Sequence, residues 1–163
     1  MIILFTGTPG TGKSTLAKEF AKKKKWKYID VNKVIDDNNL IEKYDIERDT
    51  FVVDEKRLSK ILVEMIKKEE NLVIDSHMAH YVPKKYVDLV FCTKCDLRRL
   101  KIRLESRKYK DKKVRENLDA EIFDVCLNEA MELGHKVIVL DTTHDSLAKI
   151  LKLIENAVDK NKR

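Results

Sequence analysis

The sequence predicts an α/β fold in which a parallel sheet carries helices on both faces. Two observations lead to this prediction. Short apolar runs alternate along the 163-residue chain with longer segments whose apolar residues recur at helical spacing. The first apolar run leads directly into the glycine-rich stretch GTPGTGKST, residues 7–15. Alternating strands and helices pair their strands in parallel and place ligands at the carboxyl ends of the strands.

The elements follow in order from the spacing of the apolar residues. Residues 32–53 are polar and acidic and fit neither a strand nor a helix pattern. Gly134 suits the end of a helix because it tolerates a left-handed backbone, and the lysines at 22–25 form a solvated helix end. The predicted strands are 2–5, 28–31, 72–74, 87–91 and 137–140, and the predicted helices are 14–22, 54–69, 96–106, 111–133 and a final one that includes 147–158.

The stretch at residues 7–15 has the pattern of a phosphate-binding loop. Gly7, Gly12, Lys13 and Ser14 occupy the fixed positions of G-x-x-x-x-G-K-[ST], between a predicted strand and a predicted helix. Glycines let backbone N–H groups converge on phosphate oxygens at the helix N-terminus. We therefore expect Lys13 to reach the β- and γ-phosphates of a nucleotide, and Ser14 to hold Mg²⁺.

The segment LVIDSH, residues 72–77, contains a second set of candidate catalytic residues. Three apolar residues that end in Asp75 have the form of a Walker B strand, whose aspartate supports Mg²⁺. An acid at this point can instead cap a turn, but the phosphate loop favours the metal role. His77 shares the same sheet edge, where it could orient water, contact a phosphate or bond a loop carbonyl.

A basic segment follows at 100–115. Arg103 and Arg107 are four residues apart and so lie on one helix face. Phosphoryl transfer needs mobile cations above the transferred group, and a short basic loop hinged on a helix supplies them. The lysines beyond Arg107 are also compatible with a solvated surface.

Two other motifs offer alternatives to this interpretation. TKCD, residues 93–96, resembles the guanine-reading signature of GTPases, but no Asp-x-x-Gly follows Asp75, so we interpret Asp96 as a helix N-cap. Cys92 and Cys95 form a C-x-x-C pair without a second pair, and zinc commonly needs four ligands. We interpret the cysteines as structural or incidental.

The composition indicates one domain with a sizeable core. The first apolar run is too short for a signal peptide, and no segment is long enough to span a membrane. Three cysteines do not make a disulfide framework, so the expected compartment is the cytoplasm. A net charge of +6 is compatible with binding to phosphates or RNA.

Four segments together resemble one family, adenylate kinase isoenzyme 6 and its archaeal counterparts, over nearly the whole chain. They are the phosphate loop, YDIERDTFVVDEKRL at 44–58, IDSH at 74–77, and RLESRKY with KVRENLDAEIF between 103 and 123. The resemblance implies a nucleoside monophosphate kinase fold of one domain, residues 1–163, with a parallel five-stranded sheet flanked by helices. It also implies a monophosphate-binding region at about 30–53 and a short lid at about 106–116.

The same resemblance assigns site residues. ATP would be bound by Gly10, Gly12, Lys13, Ser14 and Thr15, and by Arg107 at the lid entrance. Asp75 and His77 match the Asp-x-His pair of the family. The predicted catalytic residues are therefore Lys13, Asp75, His77, Arg103 and Arg107. The predicted Mg²⁺ site consists of Ser14 and Asp75, and Asp75 would bind the ion directly or through water.

The resemblance leaves two classes of function open. The family lacks the Gly-Phe-Pro-Arg segment usual in adenylate kinases, and here that position reads DSHMAHYVP. AMP is usually met by arginines, yet the basic residues between 30 and 53 are Lys33, Lys43 and Arg48, with Arg57 nearby. One class is a phosphotransferase that converts ATP and AMP to two ADP. The other is an ATPase assembly factor of the small ribosomal subunit, with a small-subunit ribosomal protein as partner and pre-ribosomal RNA as a further contact.

Overall fold

The computed structural model describes residues 1–161, which form seven strands in two sheets, and seven α-helices. Five strands form a parallel sheet, and two form a separate antiparallel hairpin. The strands are β1 (Ile2–Thr6), β2 (Lys27–Asp30), β3 (Ile41–Asp45), β4 (Thr50–Val53), β5 (Leu72–Asp75), β6 (Leu89–Lys94) and β7 (Val137–Asp141). The helices are α1 (Lys13–Lys24), α2 (Val31–Asp37), α3 (Glu55–Ile66), α4 (Leu97–Ser106), α5 (Asp111–Ile122), α6 (Val125–Glu132) and α7 (Leu147–Asn161).

The large sheet has the strand order β2-β5-β1-β6-β7, and every neighbouring pair is parallel. The chain leaves the central strand β1 toward β2 and β5 on one side, and returns to β6 and β7 on the other. Such a reversal opens a crevice at the carboxyl ends of the central strands. The register places Phe5 beside Asp75, and Asp75 beside Asp30, so that the end of β5 lies next to the phosphate loop.

Side chains of the sheet alternate between two apolar layers. In β1, Ile2 and Leu4 pack on one face while Ile3 and Phe5 pack on the other, as strand geometry requires. Helix α3 covers the first face, and helices α1 and α7 cover the second. A smaller cluster of Cys95, Leu100, Leu104 and Val114 joins α4 to α5 beside the phosphate loop.

The predicted parallel five-stranded sheet with flanking helices is confirmed. The segment at 32–53, which the sequence left unassigned, forms most of α2 and the β3–β4 hairpin. Strand β2 ends one residue earlier than predicted. The reason is that the Asp30 side chain accepts the N–H of Asn32 and caps α2.

The prediction of one helix over 111–133 is wrong, because the helix is interrupted between α5 and α6. Asp124 has a left-handed backbone with φ of 52°. The Lys94 ammonium donates to the backbone oxygen of Glu121 at 2.9 Å and pairs with the Asp124 carboxylate. A lysine that projects from β6 thus binds the last turn of α5 and holds the break in place.

Two predicted helix ends are confirmed. The Asp96 carboxylate accepts the N–H groups of Arg98 and Arg99 and caps α4. Gly134 has φ of 80°, and the N–H of His135 returns to the carbonyl oxygen of Ala130. Within residues 1–161, no helix combines the length and the apolar character needed to cross a membrane.

Candidate active site

A cleft of about 620 Å³ opens at the carboxyl edge of the sheet. It is bounded by the phosphate loop, the end of β5, the β3–β4 hairpin, the segment after α4 and the helices α5 and α6. Polar residues that line it include Thr8, Lys13, Ser14, Asn32, Arg48, Thr50, Glu55, Asp75, Ser76, His77, Arg107, Lys113, Glu116, Asn117 and Glu129. Of the predicted catalytic set, Lys13, Asp75, His77 and Arg107 therefore meet in one cleft.

The phosphate loop has at three points a backbone conformation that strongly favours glycine. Gly7, Gly10 and Gly12 have φ of 136°, 93° and 94°. A Cβ atom on Gly7 would lie 2.5 Å from the Thr93 hydroxyl, and one on Gly10 would lie 2.9 Å from the Leu100 side chain. The loop is therefore pressed against β6 and α4, with Gly10 and Gly12 in its backbone as predicted.

Lys13 begins α1 and lines the cleft. Burial lowers the pKa of its ammonium, while the Asp75 carboxylate opposes this shift and Arg107 adds to it. A cation that has lost hydration gains most from a new anionic partner. Ser14 and Thr15 are both exposed, but Ser14 lines the cleft and Thr15 is not among its lining residues.

Asp75 is 3% exposed and has two carboxylate oxygens in different surroundings. Oδ2 accepts a hydrogen bond from the Tyr28 hydroxyl at 2.8 Å. Oδ1 is buried and has no hydrogen-bond partner within the described chain. Buried polar atoms are normally paired, so Oδ1 fits a ligand, either Mg²⁺ or water bound to it.

The donor set around Asp75 suits Mg²⁺. In residues 1–161 there is no group of three or more histidine, cysteine, aspartate or glutamate side chains that could hold a metal. Mg²⁺ keeps several waters and is usually bound through one or two protein oxygens together with substrate phosphates. Asp75 and the Ser14 hydroxyl can supply those protein oxygens.

His77 stands on the cleft wall two residues beyond β5. Its side chain is accessible from the cleft, but the protein that encloses it and the nearby charge of Lys13 lower its pKa to about 4. The ring is therefore neutral at physiological pH and can exchange hydrogen bonds with water or a phosphate. It carries no fixed charge for binding them.

The two arginines predicted to act together occupy different positions. Arg107 follows α4 and lines the cleft. The Arg103 guanidinium instead donates to the backbone oxygen of Gly10 at 3.2 Å and to the Cys95 sulfur at 3.4 Å. Arg103 therefore supports the loop from behind.

Glu121 was missed by sequence reasoning, although it holds the phosphate loop. It is 4% exposed. One carboxylate oxygen accepts the Thr8 hydroxyl at 2.6 Å, and the other accepts the Cys95 N–H at 2.9 Å and lies 3.3 Å from the Lys94 ammonium. Helical spacing places Glu121 on the face of Val114 and Leu118, seven and three residues earlier, which was a signal that it points inward. Spacing does not show that its carboxylate bonds the phosphate loop, because those partners lie far away in the sequence.

A buried histidine was also missed, because it lies in a short turn after β5 where neither a motif nor a periodic pattern marks it. His80 is 1% exposed, and its ring bonds the Thr6 hydroxyl and the Glu129 carboxylate, each at 2.9 Å. Burial lowers its pKa, and Glu129 opposes that shift. The contact ties the segment after β5 to α6 and to the end of β1.

The segment of Lys110 to Lys113, at the start of α5, meets the β3–β4 hairpin across the cleft. The Lys113 ammonium bonds the backbone oxygen of Asp49, and the Lys110 ammonium lies 3.9 Å from the Asp49 carboxylate. That carboxylate also accepts the Tyr44 hydroxyl, which lowers its pKa. Asp49 has φ of 50° in the hairpin turn.

The cysteines have no part in the cleft chemistry that the geometry favours. All three are free thiols. Burial raises the pKa of Cys92 to about 12 and that of Cys126 to about 11. Both are therefore protonated at neutral pH, whereas metal binding and nucleophilic attack need the thiolate.

The chain is similar to known proteins in sequence and in fold. A family model described as AAA domain matches residues 3–124. A Saccharomyces cerevisiae protein named "Adenylate kinase isoenzyme 6 homolog FAP7" is 37% identical, over 93% of this chain and 79% of that protein. A Caenorhabditis elegans protein named "Adenylate kinase isoenzyme 6 homolog" is 34% identical, over 94% and 85%. A Methanosarcina barkeri protein named "Putative adenylate kinase" is 37% identical, over 98% and 86%.

Solved structures of similar fold are more distant in sequence. Shikimate kinase from Acinetobacter baumannii, in complex with shikimate, has a TM-score of 0.70 at 16% identity, over 99% of this chain and 94% of that one. Shikimate kinase from Bacteroides thetaiotaomicron has a TM-score of 0.67 at 16% identity, over 98% of both chains. These neighbours establish the phosphate-loop kinase fold, and the relatives at 34–37% identity confirm the resemblance found in the sequence. The chain belongs to the adenylate kinase isoenzyme 6 family, within the proteins that carry an AAA domain.

Proposed function

We propose that the protein is a nucleoside monophosphate kinase that converts ATP and AMP to two ADP, that it also hydrolyses ATP, and that it acts in the cytoplasm in maturation of the small ribosomal subunit. The observation that carries the catalytic part is the meeting of Lys13, Asp75, His77 and Arg107 in one cleft. The ribosomal part rests on the family.

Transfer of a phosphoryl group depends mostly on position and charge. Lys13 would bind the β- and γ-phosphate oxygens from the loop, and Arg107 would approach the transferred group from the lid side. Mg²⁺, held by Ser14 and Asp75, supplies positive charge to the phosphates when it is bound. His77, neutral at physiological pH, would orient the attacking water during hydrolysis.

The monophosphate side of the cleft is poor in positive charge. Arg48 and Lys113 line the cleft there. Among the described residues, the lining does not include Lys33, Lys43 or Arg57. The carboxylates of Glu55, Glu116 and Glu129 line the same cleft. This balance supports the second candidate, an ATPase assembly factor with little AMP kinase activity, whose partner occupies the monophosphate side.

ATP turnover with and without AMP tests the two candidates. The kinase predicts ADP formation that rises steeply with AMP at two ADP per ATP consumed, because AMP is then the acceptor. The assembly ATPase predicts release of inorganic phosphate at a rate that AMP does not raise. The Lys13→Ala variant, purified in parallel, gives the background turnover of contaminating enzymes. Turnover by the parent that does not exceed this background would contradict both candidates.

The acidic part of residues 32–53 offers a surface for a basic ribosomal protein. Asp36, Asp37 and Glu42 are exposed on α2 and the hairpin. By contrast, the Asp45 carboxylate is used inside the hairpin, where it accepts N–H groups of the turn. The three exposed acids can attract a basic tail by complementary charge, while the lysines of the lid could contact ribosomal RNA.

A pull-down with the candidate small-subunit protein at two salt concentrations tests this surface. Reversal of the three acids to lysine should weaken capture while ATP hydrolysis is kept, and capture by the parent should fall as salt rises. The matched control reverses Glu64, Glu132 and Asp159, which are exposed elsewhere. Equal capture by the two triple variants would contradict the acidic surface, and no capture by the parent would contradict the ribosomal role.

A further inference from the structure

We propose that Tyr28 is a positioning residue that fixes which oxygen of the Asp75 carboxylate faces the Mg²⁺ site. This inference rests on the proposed function, because it assumes the metal role of Asp75. Tyr28 belongs to none of the motifs in the sequence, and it lies 47 residues from its partner.

The sheet brings the two residues together. Strands β2 and β5 are parallel neighbours, with Tyr28 beside Val73 and Asp30 beside Asp75. Tyr28 and Val73 both belong to the apolar layer under α1, and Asp75 follows Val73 by two positions on the same face. The long phenol side chain spans that distance, and its hydroxyl reaches Asp75 Oδ2 at 2.8 Å.

The ring of Tyr28 is held from the helix side as well. The Lys18 ammonium, on α1, lies 5.6 Å from the ring centre, within the range of a cation–π contact. The same helix begins at Lys13 and carries Ser14. Strand β2 and helix α1 therefore set the position of the hydroxyl before any ligand arrives.

The hydrogen bond makes the two oxygens of Asp75 unequal. Oδ2 is occupied by the phenol, and Oδ1 is buried without a partner in the described chain. The terminal torsion of an aspartate is soft and nearly two-fold, so the carboxylate needs such an anchor to hold one orientation. Partners that orient a ligating carboxylate are typically worth about 10–100-fold in metal affinity.

The Mg²⁺ dependence of ATP binding tests this role without measuring activity. Binding of a fluorescent ATP analogue is titrated with Mg²⁺ for the parent, Tyr28→Phe and Asp75→Asn. Tyr28→Phe removes one hydroxyl and keeps the ring. We expect it to raise the Mg²⁺ concentration at half-maximal effect by about 10-fold, while affinity for the analogue without Mg²⁺ stays at the parent value.

Tyr86→Phe is the matched control. Tyr86 is also half-buried, also has a lysine over its ring, with Lys85 at 4.9 Å, and does not line the cleft. Its variant should keep the parent Mg²⁺ midpoint. Thermal unfolding of each variant shows whether the fold is kept.

A double-mutant cycle separates this inference from the proposed function. If Tyr28 acts through Asp75, Tyr28→Phe should shift the Mg²⁺ midpoint less when it is introduced into the Asp75→Asn variant than when it is introduced into the parent. A shift for Asp75→Asn together with none for Tyr28→Phe would overturn the positioning role alone. Weaker binding of the analogue by Tyr28→Phe without Mg²⁺ would also overturn it, because the damage would then be general. No shift for Asp75→Asn would overturn the metal role of Asp75 and this inference with it.

Discussion

The Lys113 ammonium donates a hydrogen bond to the backbone carbonyl oxygen of Asp49 at 2.8 Å, so helix α5 and the β3–β4 turn meet across the mouth of the cleft. Lys113 also lies 4.5 Å from the centre of the Tyr109 ring. Helix α5 and the hairpin are thus joined by a bond from a charged donor to a neutral acceptor.

Lys113→Ala should loosen this closure. Hydrogen bonds to charged groups contribute about 1.5–3 kcal/mol, so the open form should become at least 10-fold more populated. Spin labels at Glu47 and Arg115 would report a longer and broader distance distribution in the nucleotide-free protein. Lys112→Ala, an exposed neighbour, should leave the distribution unchanged. Identical distributions for the two variants would mean that the bond does not hold helix α5 against the hairpin.

Lys13→Ala should abolish turnover and weaken ATP binding while the fold is kept. The reason is that the phosphates of ATP lose the charged donor that Lys13 would supply, and hydrogen bonds to charged groups contribute about 1.5–3 kcal/mol. Calorimetric ATP titration and thermal unfolding check both parts. Lys22→Ala, exposed on the same helix, is the control. Turnover at the parent rate in a purified Lys13→Ala sample would reject the assignment of this loop.

The ATP affinity of the parent should also fall at high pH. The fall should begin at a lower pH than it would if Lys13 had the pKa of an exposed lysine. The binding form of Lys13 is the protonated one, and burial places its pKa below the usual 10.5. As pH rises through that lowered pKa, the ammonium is lost and the phosphates lose a partner. ATP titrations between pH 7 and 10.5 test this, since Lys13→Ala should lack the additional decline.

His77→Ala should slow hydrolysis more than it weakens ATP binding. The pKa of about 4 keeps the ring neutral from pH 5 upward, and protonation at lower pH would add a charge beside Lys13. The ratio of parent to variant hydrolysis rates should therefore be constant between pH 5.5 and 8. A change of this ratio near pH 6.5 would show an ordinary histidine pKa instead, and equal rates would leave His77 without a role in hydrolysis.

Arg107→Ala and Arg103→Ala should differ in their kinetics. Arg107 faces the cleft, so its loss should lower kcat by about 10²–10³-fold with a smaller change in KM for ATP. Arg103 supports Gly10 from behind, so its loss should displace the loop and change KM together with kcat. Steady-state kinetics with Arg98→Ala as the exposed control measure both. A change confined to KM in Arg107→Ala would indicate ground-state binding.

Glu121→Ala should destabilise the fold by about 3 kcal/mol, because the Thr8 hydroxyl and the Cys95 N–H lose their buried acceptor. Glu121→Gln keeps one acceptor oxygen for the Cys95 N–H and replaces the other by an NH2 group that can donate to the Thr8 hydroxyl oxygen, so it should cost less. Urea unfolding gives both free energies. Exposed Glu116→Ala on the same helix is the control, and a loss for Glu121→Ala no larger than for the control would contradict the structural role.

The fold was predictable because its signals are local. The run at 2–5 before the glycines and the spacing of Leu58, Leu62 and Ile66 each follow from the geometry of one element. The interruption of the helix predicted at 111–133 was not predictable, because it depends on Lys94, which reaches Asp124 from a different strand. Periodicity along one segment carries no information about a cation supplied by another.

The candidate site divides in the same way. Lys13 and Asp75 stand in motifs with fixed spacing, so their position in the cleft could be predicted. Tyr28, Glu121 and His80 could not be identified, since each acts through a bond to a residue at least 47 positions away. Arg103 shows what helical spacing cannot predict. The spacing put Arg103 on the same helix face as Arg107, but it did not show that the Arg103 guanidinium bonds the Gly10 carbonyl oxygen.

The bracing of the phosphate loop sets an order of events during synthesis. Its residues are among the first of this sequence to be made, yet they are shaped by later ones. Gly7 is pressed against Thr93, Thr8 bonds Glu121, and the Thr11 carbonyl oxygen accepts the Thr142 hydroxyl at 2.6 Å. A growing chain therefore lacks the finished loop until residue 142 has emerged. We therefore expect the ability to bind a nucleotide in its final mode to coincide with completion of the sheet.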